Sequence, residues 1–122
     1  MSELEITRSK DSEVKVLSLK GQLDAHTFSS LQKELESAGN EAQPRVVLDC
    51  GALEYISSAG LGVLKKMSRE FRDRQGDIRL AALPPKIDNV VQLLGFDKIL
   101  RVFGGLDEAV RSFEQDRDAE QP

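Results

Sequence analysis

The fold is decided by one stretch of the chain, LEYISSAGLG at residues 53–62. It follows an apolar run at residues 45–49 and leads into an amphipathic pattern that begins near Ala59. Two hydroxyl residues, a small residue and two glycines therefore lie where a strand passes into a helix. Because the first N–H groups of a helix lack internal partners and carry partial positive charge, such a junction favours an anion.

Outside this stretch, strand patterns alternate with helix patterns. Apolar runs predict strands at residues 4–6, 14–19, 45–49, 78–82 and 99–103, the first two forming a hairpin. Apolar residues at helical spacing predict a first helix that opens at Asp24 and continues to Ala38, and further helices at residues 59–76, 84–95 and 106–113. This order predicts an α/β fold with a mixed, mainly parallel β-sheet of about five strands packed with about four α-helices.

Length and composition restrict the function classes. The 122 residues fit one domain, predicted at residues 1–114 and followed by a polar C-terminal tail at residues 115–122. A net charge of −4 argues against direct binding of nucleic acid, which needs a basic surface. No run approaches the roughly 20 apolar residues of a membrane helix, and the acidic N-terminus is unlike a signal peptide, so we expect a cytoplasmic protein without membrane insertion.

Two predicted strand ends carry polar residues that a site could use. Asp24 follows the second strand and is a candidate N-cap of the first helix, and Ser58 follows the third strand. Since ligand sites of open α/β sheets lie at the carboxyl ends of strands, we expect Asp24 and Ser58 to lie close together. Because Gly21, Gly60 and Gly62 have no side chains, they would allow a partner to approach this surface closely.

Catalytic and cofactor motifs are missing from the sequence. There is no Gly-x-Ser-x-Gly elbow, and Gly60-Leu61-Gly62 lacks the rest of a phosphate-binding or dinucleotide-binding motif. His26 is the one histidine and Cys50 the one cysteine, so we expect no catalytic residue, no cofactor and no metal site. From chemistry alone, Ser57 or Ser58 is interpreted as a helix N-cap.

Residues 55–62 resemble the signature of bacterial anti-sigma-factor antagonists, which are members of the STAS domain family. Further similarity to this family lies at residues 21–24, 46–49, 93–97 and 106–109. The resemblance covers most of the chain and implies a single-domain STAS-like fold.

By this resemblance, Ser58 is the serine that a partner kinase phosphorylates, with Ser57 as the less favoured alternative. Ser57 stands where many members have Asp, and Ala59 stands where they have a second serine. Asp24 aligns with an acidic residue beside the phosphoacceptor. The residues implied in partner binding are Asp24, Ser57, Ser58, Ala59, Gly60, Leu61, Gly62 and Lys65.

The implied function is that of a switch and not of an enzyme. The unphosphorylated chain would bind an anti-sigma factor that is also a serine kinase of the histidine-kinase-like ATPase class, and thereby release a sigma factor. Phosphorylation of Ser58 would end binding, and a serine phosphatase would restore it. The alternative is a non-phosphorylated STAS scaffold or accessory subunit of a transporter or signalling complex that docks through the same helix face. A small hydrolase is the weakest hypothesis.

Overall fold

The computed structural model describes residues 3–120 of the chain, and their side chains up to residue 116. Within this range one sheet contains the strands β1 (Leu4–Asp11), β2 (Val14–Leu23), β3 (Arg45–Ile56), β4 (Asp77–Ala81) and β5 (Val102–Phe103). The helices are α1 (Phe28–Ala38), α2 (Ser58–Asp73), α3 (Pro85–Leu93) and α4 (Leu106–Glu120), with a 3-10 turn at Phe96–Lys98. The predicted α/β fold with its order of elements is confirmed.

The strands lie in the sheet in the order in which they occur in the chain. β1 pairs with β2 antiparallel, and β2–β3, β3–β4 and β4–β5 are parallel pairs. β3 is therefore central, and the parallel strands end together at one edge of the sheet. The residues that follow β2 and β3 meet at this edge.

Helices cover both faces of the sheet, and consecutive residues of β3 contact different layers. Val46 and Leu48 belong to the larger apolar core, which includes residues from α1, α2 and α3. Val47 belongs to a second core formed with Ala109, Val110 and other residues of α4. This arrangement explains the run of three apolar residues in β3, as expected for a strand buried on both sides.

The last strand is shorter than the prediction of residues 99–103. The N–H groups of Ile99 and Leu100 donate to the Phe96 carbonyl, at 3.0 and 2.8 Å, and so belong to the 3-10 turn. Leu100 is fully buried in the larger core. These apolar residues therefore stabilise the core and do not extend β5.

Gly39 is the C-cap of α1, but it does not take the left-handed conformation in which a glycine often ends a helix. Its φ is −79°, which any residue can adopt. A Cβ at this position would lie 2.6 Å from Cε1 of Phe71, on α2. The glycine is therefore required by the close approach of α1 to the Phe71 ring.

A buried arginine connects α4 to the sheet. The Arg79 guanidinium lies 3.9 Å from the centroid of the Phe113 ring, and its Nη1 donates to Oγ of Ser112 at 2.7 Å. Its Nη2 donates to Asp116, so α4 remains tied to the sheet beyond residue 114. The boundary between a domain at residues 1–114 and a tail at 115–122 stays a prediction, and residues 121–122 lie outside the described range.

Candidate functional site

Ser57 is the N-cap of α2 and uses its hydroxyl for that purpose. Its backbone is extended, and its Oγ accepts a hydrogen bond from the Gly60 N–H at 3.3 Å. Its carbonyl accepts from the Leu61 N–H at 3.0 Å. Because an N-cap side chain satisfies one of the helix's unpaired donors, this contact contributes about 1 kcal/mol. The interpretation of one serine as a structural cap therefore applies to Ser57.

Ser58 is the first residue of α2, and its side chain is exposed. Within residues 3–116 its hydroxyl makes no hydrogen bond, whereas that of Ser57 is occupied. The first turn of α2 contains no acidic residue. Ser58 therefore presents a hydroxyl to solvent at the positive end of a helix, where a negative charge added to its oxygen is stabilised.

The end of β2 lies directly beside this helix start. The Ser57 N–H donates to the Leu23 carbonyl at 2.9 Å, and Leu23 pairs with Ile56 across the two strands. The backbone thus brings Leu23 and Asp24 next to Ser57 and Ser58. The predicted meeting of the two strand ends is confirmed at the level of the backbone.

Asp24 is not the N-cap of α1, which corrects the prediction from sequence. The helix begins at Phe28, and its N-cap is Thr27. Asp24 instead closes the turn before the helix, because its Oδ1 accepts from the His26 N–H at 2.8 Å and its N–H donates to the Thr27 hydroxyl at 2.9 Å. That hydroxyl donates onward to the Gln22 carbonyl at 2.7 Å. The turn therefore positions the Asp24 carboxylate at the edge that carries Ser58.

The two glycines of α2 have opposite environments. A Cβ on Gly60 would lie 2.6 Å from Cγ of Leu23, whereas a Cβ on Gly62 would meet no atom within 4 Å. Gly60 and Leu61 are buried, and Leu61 has no exposed surface. A partner therefore cannot contact the Leu61 side chain, and this part of the predicted binding set is corrected.

The exposed members of the predicted set lie along one line of α2. Ser58, Gly62 and Lys65 are exposed, and Ala59 is half-buried. The three exposed residues are four and three positions apart, which places them on one face of the helix. This face, together with the turn of Asp24, is the surface that the chain offers around Ser58.

Among residues 3–116, three large apolar side chains are exposed, and sequence reasoning did not assign them to a surface. Tyr55, just before the site, is 49% exposed, and Leu93 and Leu94 are 87% and 53% exposed. Leu94 follows Ile87, Val90 and Val91 at helical spacing, which predicts a place on the buried face of α3. The helix ends at Leu93, however, and Leu94 is its exposed C-cap. The end of a helix was the missing information, since the spacing of Leu94 alone fits the core.

A depression in the surface lies at the other end of the sheet. It encloses about 970 Å³ and is lined in part by Arg45 and Asp77, which begin β3 and β4. Its charged groups are paired with one another: Arg45 with Glu13, and Asp77 with Arg72 and Arg79. These ion pairs explain the polar lining as part of the fold, so the depression is not the site around Ser58.

The other candidate reactive groups, Cys50 and His26, lie in different surroundings. Burial raises the pKa of the Cys50 thiol to about 12, and His26 is exposed in the turn before α1. Among the described side chains no group of three His, Cys, Asp or Glu residues is placed to hold a metal ion. No helix in the described part of the chain is long and apolar enough to cross a bilayer.

Comparison with known proteins finds similarity over most of the chain. The model of the STAS domain matches residues 5–109. BtrV of Bordetella bronchiseptica, a candidate anti-sigma factor antagonist, is 32% identical over 111 residues, which are 91% of this chain and 96% of BtrV.

Solved structures share the fold at lower identity. The crystal structure of an anti-sigma factor antagonist from Mycobacterium paratuberculosis has a TM-score of 0.81 and 24% identity, and the match covers 90% of this chain and 93% of that chain. SpoIIAA in its unphosphorylated form has a TM-score of 0.76 and 20% identity, with coverage of 91% and 97%. The structure of the phosphorylated form of SpoIIAA, from Bacillus, has a TM-score of 0.68 and 20% identity, with coverage of 89% and 99%.

Proposed function

Because the chain belongs to the STAS domain family of anti-sigma factor antagonists, we propose that it binds an anti-sigma factor and that phosphorylation of Ser58 ends this binding. Anti-sigma factor antagonists are non-enzymatic regulators. The chain would therefore catalyse no reaction and would itself be modified by another protein. The anti-sigma factor would also be the serine kinase, of the histidine-kinase-like ATPase class. ATP and magnesium would be bound by that kinase, and a serine phosphatase would reverse the modification.

The observation that carries this proposal is the contrast between the two adjacent serines. The Ser57 hydroxyl caps α2, whereas the Ser58 hydroxyl is exposed and makes no hydrogen bond to residues 3–116. A kinase must reach the acceptor oxygen from solvent, and the Ser57 oxygen is half-buried and already accepts from the Gly60 N–H. This contrast supports Ser58 as the phosphoacceptor.

The position of Ser58 supports a switch that changes binding without unfolding the domain. Phosphorylation adds about −1.5 to −2 charges and three acceptor oxygens. At the first residue of α2 this charge is stabilised by the helix, so the fold tolerates it. For a partner packed on the same face, the phosphate adds bulk, charge and a desolvation cost. A loss of about 3 kcal/mol lowers affinity more than a hundredfold.

A pull-down with Ser58 variants tests the proposal. Tagged wild type, Ser58→Ala and Ser58→Asp are used to capture the anti-sigma factor from the native cell, identified by mass spectrometry. We expect wild type and Ser58→Ala to capture it and Ser58→Asp to lose it. Ser37→Asp, at an exposed serine near the far end of α1, is the matched control and should bind as wild type does. Equal binding by Ser58→Asp and Ser58→Ala would refute the switch.

Intact-mass measurement separates the switch from a constitutive scaffold. Protein purified from its native cell is measured before and after phosphatase treatment. We expect the mass of one phosphoryl group in part of the wild-type protein, sensitive to phosphatase and absent from Ser58→Ala. If the increment is missing from wild type under every growth condition, the scaffold is favoured.

A further inference from the structure

We propose that the partner presents an acidic surface to a basic stripe on α2, formed by Lys65, Lys66 and Arg69. The inference rests on the proposed function, because it concerns the partner that docks around Ser58. It specifies the chemistry of that partner's surface: carboxylate groups facing the solvent side of α2.

The stripe continues the line on which Ser58 lies. Ser58, Gly62, Lys65 and Arg69 are all exposed, and at 100° per residue they fall inside an arc of about 60°. Lys66 flanks this arc and is also exposed. A partner that contacts the exposed surface at Ser58 and extends along α2 would therefore meet these cations.

The three cationic side chains of the stripe make no ion pair in the described part of the chain. Within residues 3–116, no carboxylate lies within salt-bridge distance of Lys65, Lys66 or Arg69, although the chain carries a net charge of −4. Elsewhere ion pairs hold a larger set of basic side chains: Arg8, Lys15, Arg45, Arg72, Arg79 and Arg101. The acidic residues of the same helix, Glu70 and Asp73, lie one turn beyond Lys66 and Arg69, on the side away from Ser58.

Two features of this line are unfavourable for the isolated chain. Lys65 and Arg69 are like charges at positions i and i+4, a spacing at which like charges destabilise a helix. Gly62 lowers helix stability relative to alanine, and no packing requires it, since its Cβ would meet nothing within 4 Å. A closely packed anionic partner would relieve the repulsion and use the space at Gly62.

The same complementarity explains why a phosphate on Ser58 would oppose binding. The phosphate would place negative charge at the N-terminal end of the line, directly against an acidic partner surface. Like charges brought together at an interface oppose binding, whereas opposite charges accelerate association. The stripe would attract the partner, and the phosphate would repel it.

Association kinetics test the inference. The probe is the anti-sigma factor identified by copurification with the tagged chain and then purified alone. The double variant Lys65→Glu with Arg69→Glu is compared with the control Lys10→Glu with Lys33→Glu, which makes the same charge change at exposed positions on β1 and α1. We expect the first variant to lower the association rate at least about tenfold at low salt and the control to change it little.

Salt dependence and folding complete the test. The deficit of the stripe variant should shrink as salt rises, because screening shortens the range of charge interactions to about 3 Å at 1 M. Circular dichroism confirms that each variant is folded, and Lys65→Gln with Arg69→Gln provides a milder change if the reversal does not fold. A stripe variant that binds as fast and as tightly as wild type overturns the inference.

Comparison with Ser58→Asp in the same assay separates this inference from the proposed switch. If Ser58→Asp loses binding while the stripe variant keeps it, the switch stands and the acidic partner surface is refuted. If the stripe variant loses binding while Ser58→Asp binds as wild type does, the acidic surface is supported and the switch is refuted.

Discussion

Replacing Gly62 with alanine is expected to stabilise the fold and to weaken partner binding at the same time. The neighbouring replacement, Gly60→Ala, is expected to destabilise the fold. Both residues lie in the first turns of α2, so the change in helix propensity is nearly the same for both. What differs is the space into which the new methyl group points.

The expected change in stability depends on what surrounds the new methyl group at each position. At Gly62 a Cβ meets nothing within 4 Å, so the variant should gain the alanine helix propensity, about 0.5–1 kcal/mol. At Gly60 the Cβ would lie 2.6 Å from Cγ and 3.1 Å from the carbonyl oxygen of Leu23, which is fully buried and cannot move aside. Overpacking costs about 1–3 kcal/mol, so after the gain in propensity we expect a net loss of about 1–2 kcal/mol.

Chemical and thermal denaturation measure the stability part of the prediction. For a domain of this size, 1 kcal/mol corresponds to a Tm shift of about 4 °C, so the two variants should shift in opposite directions by measurable amounts. Titration with the purified anti-sigma factor measures the binding part. We expect Gly62→Ala to lose at least about tenfold in affinity, or about 1.4 kcal/mol, because the methyl group intrudes into a closely packed contact.

Two results would refute this reasoning separately. If Gly62→Ala unfolds more easily than wild type, the surface around Gly62 is not open in the folded chain. If Gly62→Ala is more stable and still binds the anti-sigma factor as tightly as wild type, the partner does not approach α2 closely at Gly62.

Four further predictions concern the cap, the buried charges and the thiol. Ser57→Ala should lower stability by about 1 kcal/mol in chemical denaturation and leave the neighbouring serine open to phosphorylation, so loss of the phosphoryl mass increment in this variant would contradict the assignment. Arg79→Met should cost about 3 kcal/mol, because the buried Asp77 carboxylate loses one of its two guanidinium partners, and an unchanged denaturation midpoint would argue against a stabilising role. Burial raises the pKa of the Asp116 carboxyl, but its bonds to two guanidinium groups outweigh burial and hold the pKa below the usual 3.8. The resulting stability is present above the unfolded-state pKa and is lost as pH falls through the lower folded-state pKa, and Asp116→Asn should remove that part of the acid sensitivity in a pH series of thermal scans. Cys50, with its pKa raised to about 12, should resist iodoacetamide at mildly alkaline pH until the chain unfolds, and rapid labelling of the folded chain would show that β3 opens locally.

The local pattern of the sequence was enough to predict the architecture. The run Val46-Val47-Leu48 indicates a strand buried on both faces, and the structure places Val47 against α4 and its neighbours against the other helices. The stretch at residues 53–62 indicates the junction between a strand and a helix with hydroxyl groups at its start. These features follow from strand and helix periodicities, which are properties of the backbone and can be read along the chain.

The details of the site could not be predicted from the sequence. Asp24 has the spacing of an N-cap, yet a turn closed by the Thr27 hydroxyl delays the helix to Phe28. Leu94 has the spacing of a core residue, yet the helix ends before it can be buried. In each case the outcome depends on where an element ends, and that is decided by hydrogen bonds among several residues.

The sequence by itself determined the order of strands and helices, the family and the identity of the serine pair. Each of these follows from a local residue pattern or from a short motif. Only the tertiary structure decided which serine is occupied and which is exposed, and why one glycine of α2 is required for packing while the other is not. The physical reason is that burial and hydrogen bonding depend on what other parts of the chain lie nearby. Leu23, far from α2 in sequence, fills the space beside Gly60 and leaves the space beside Gly62 open to a partner.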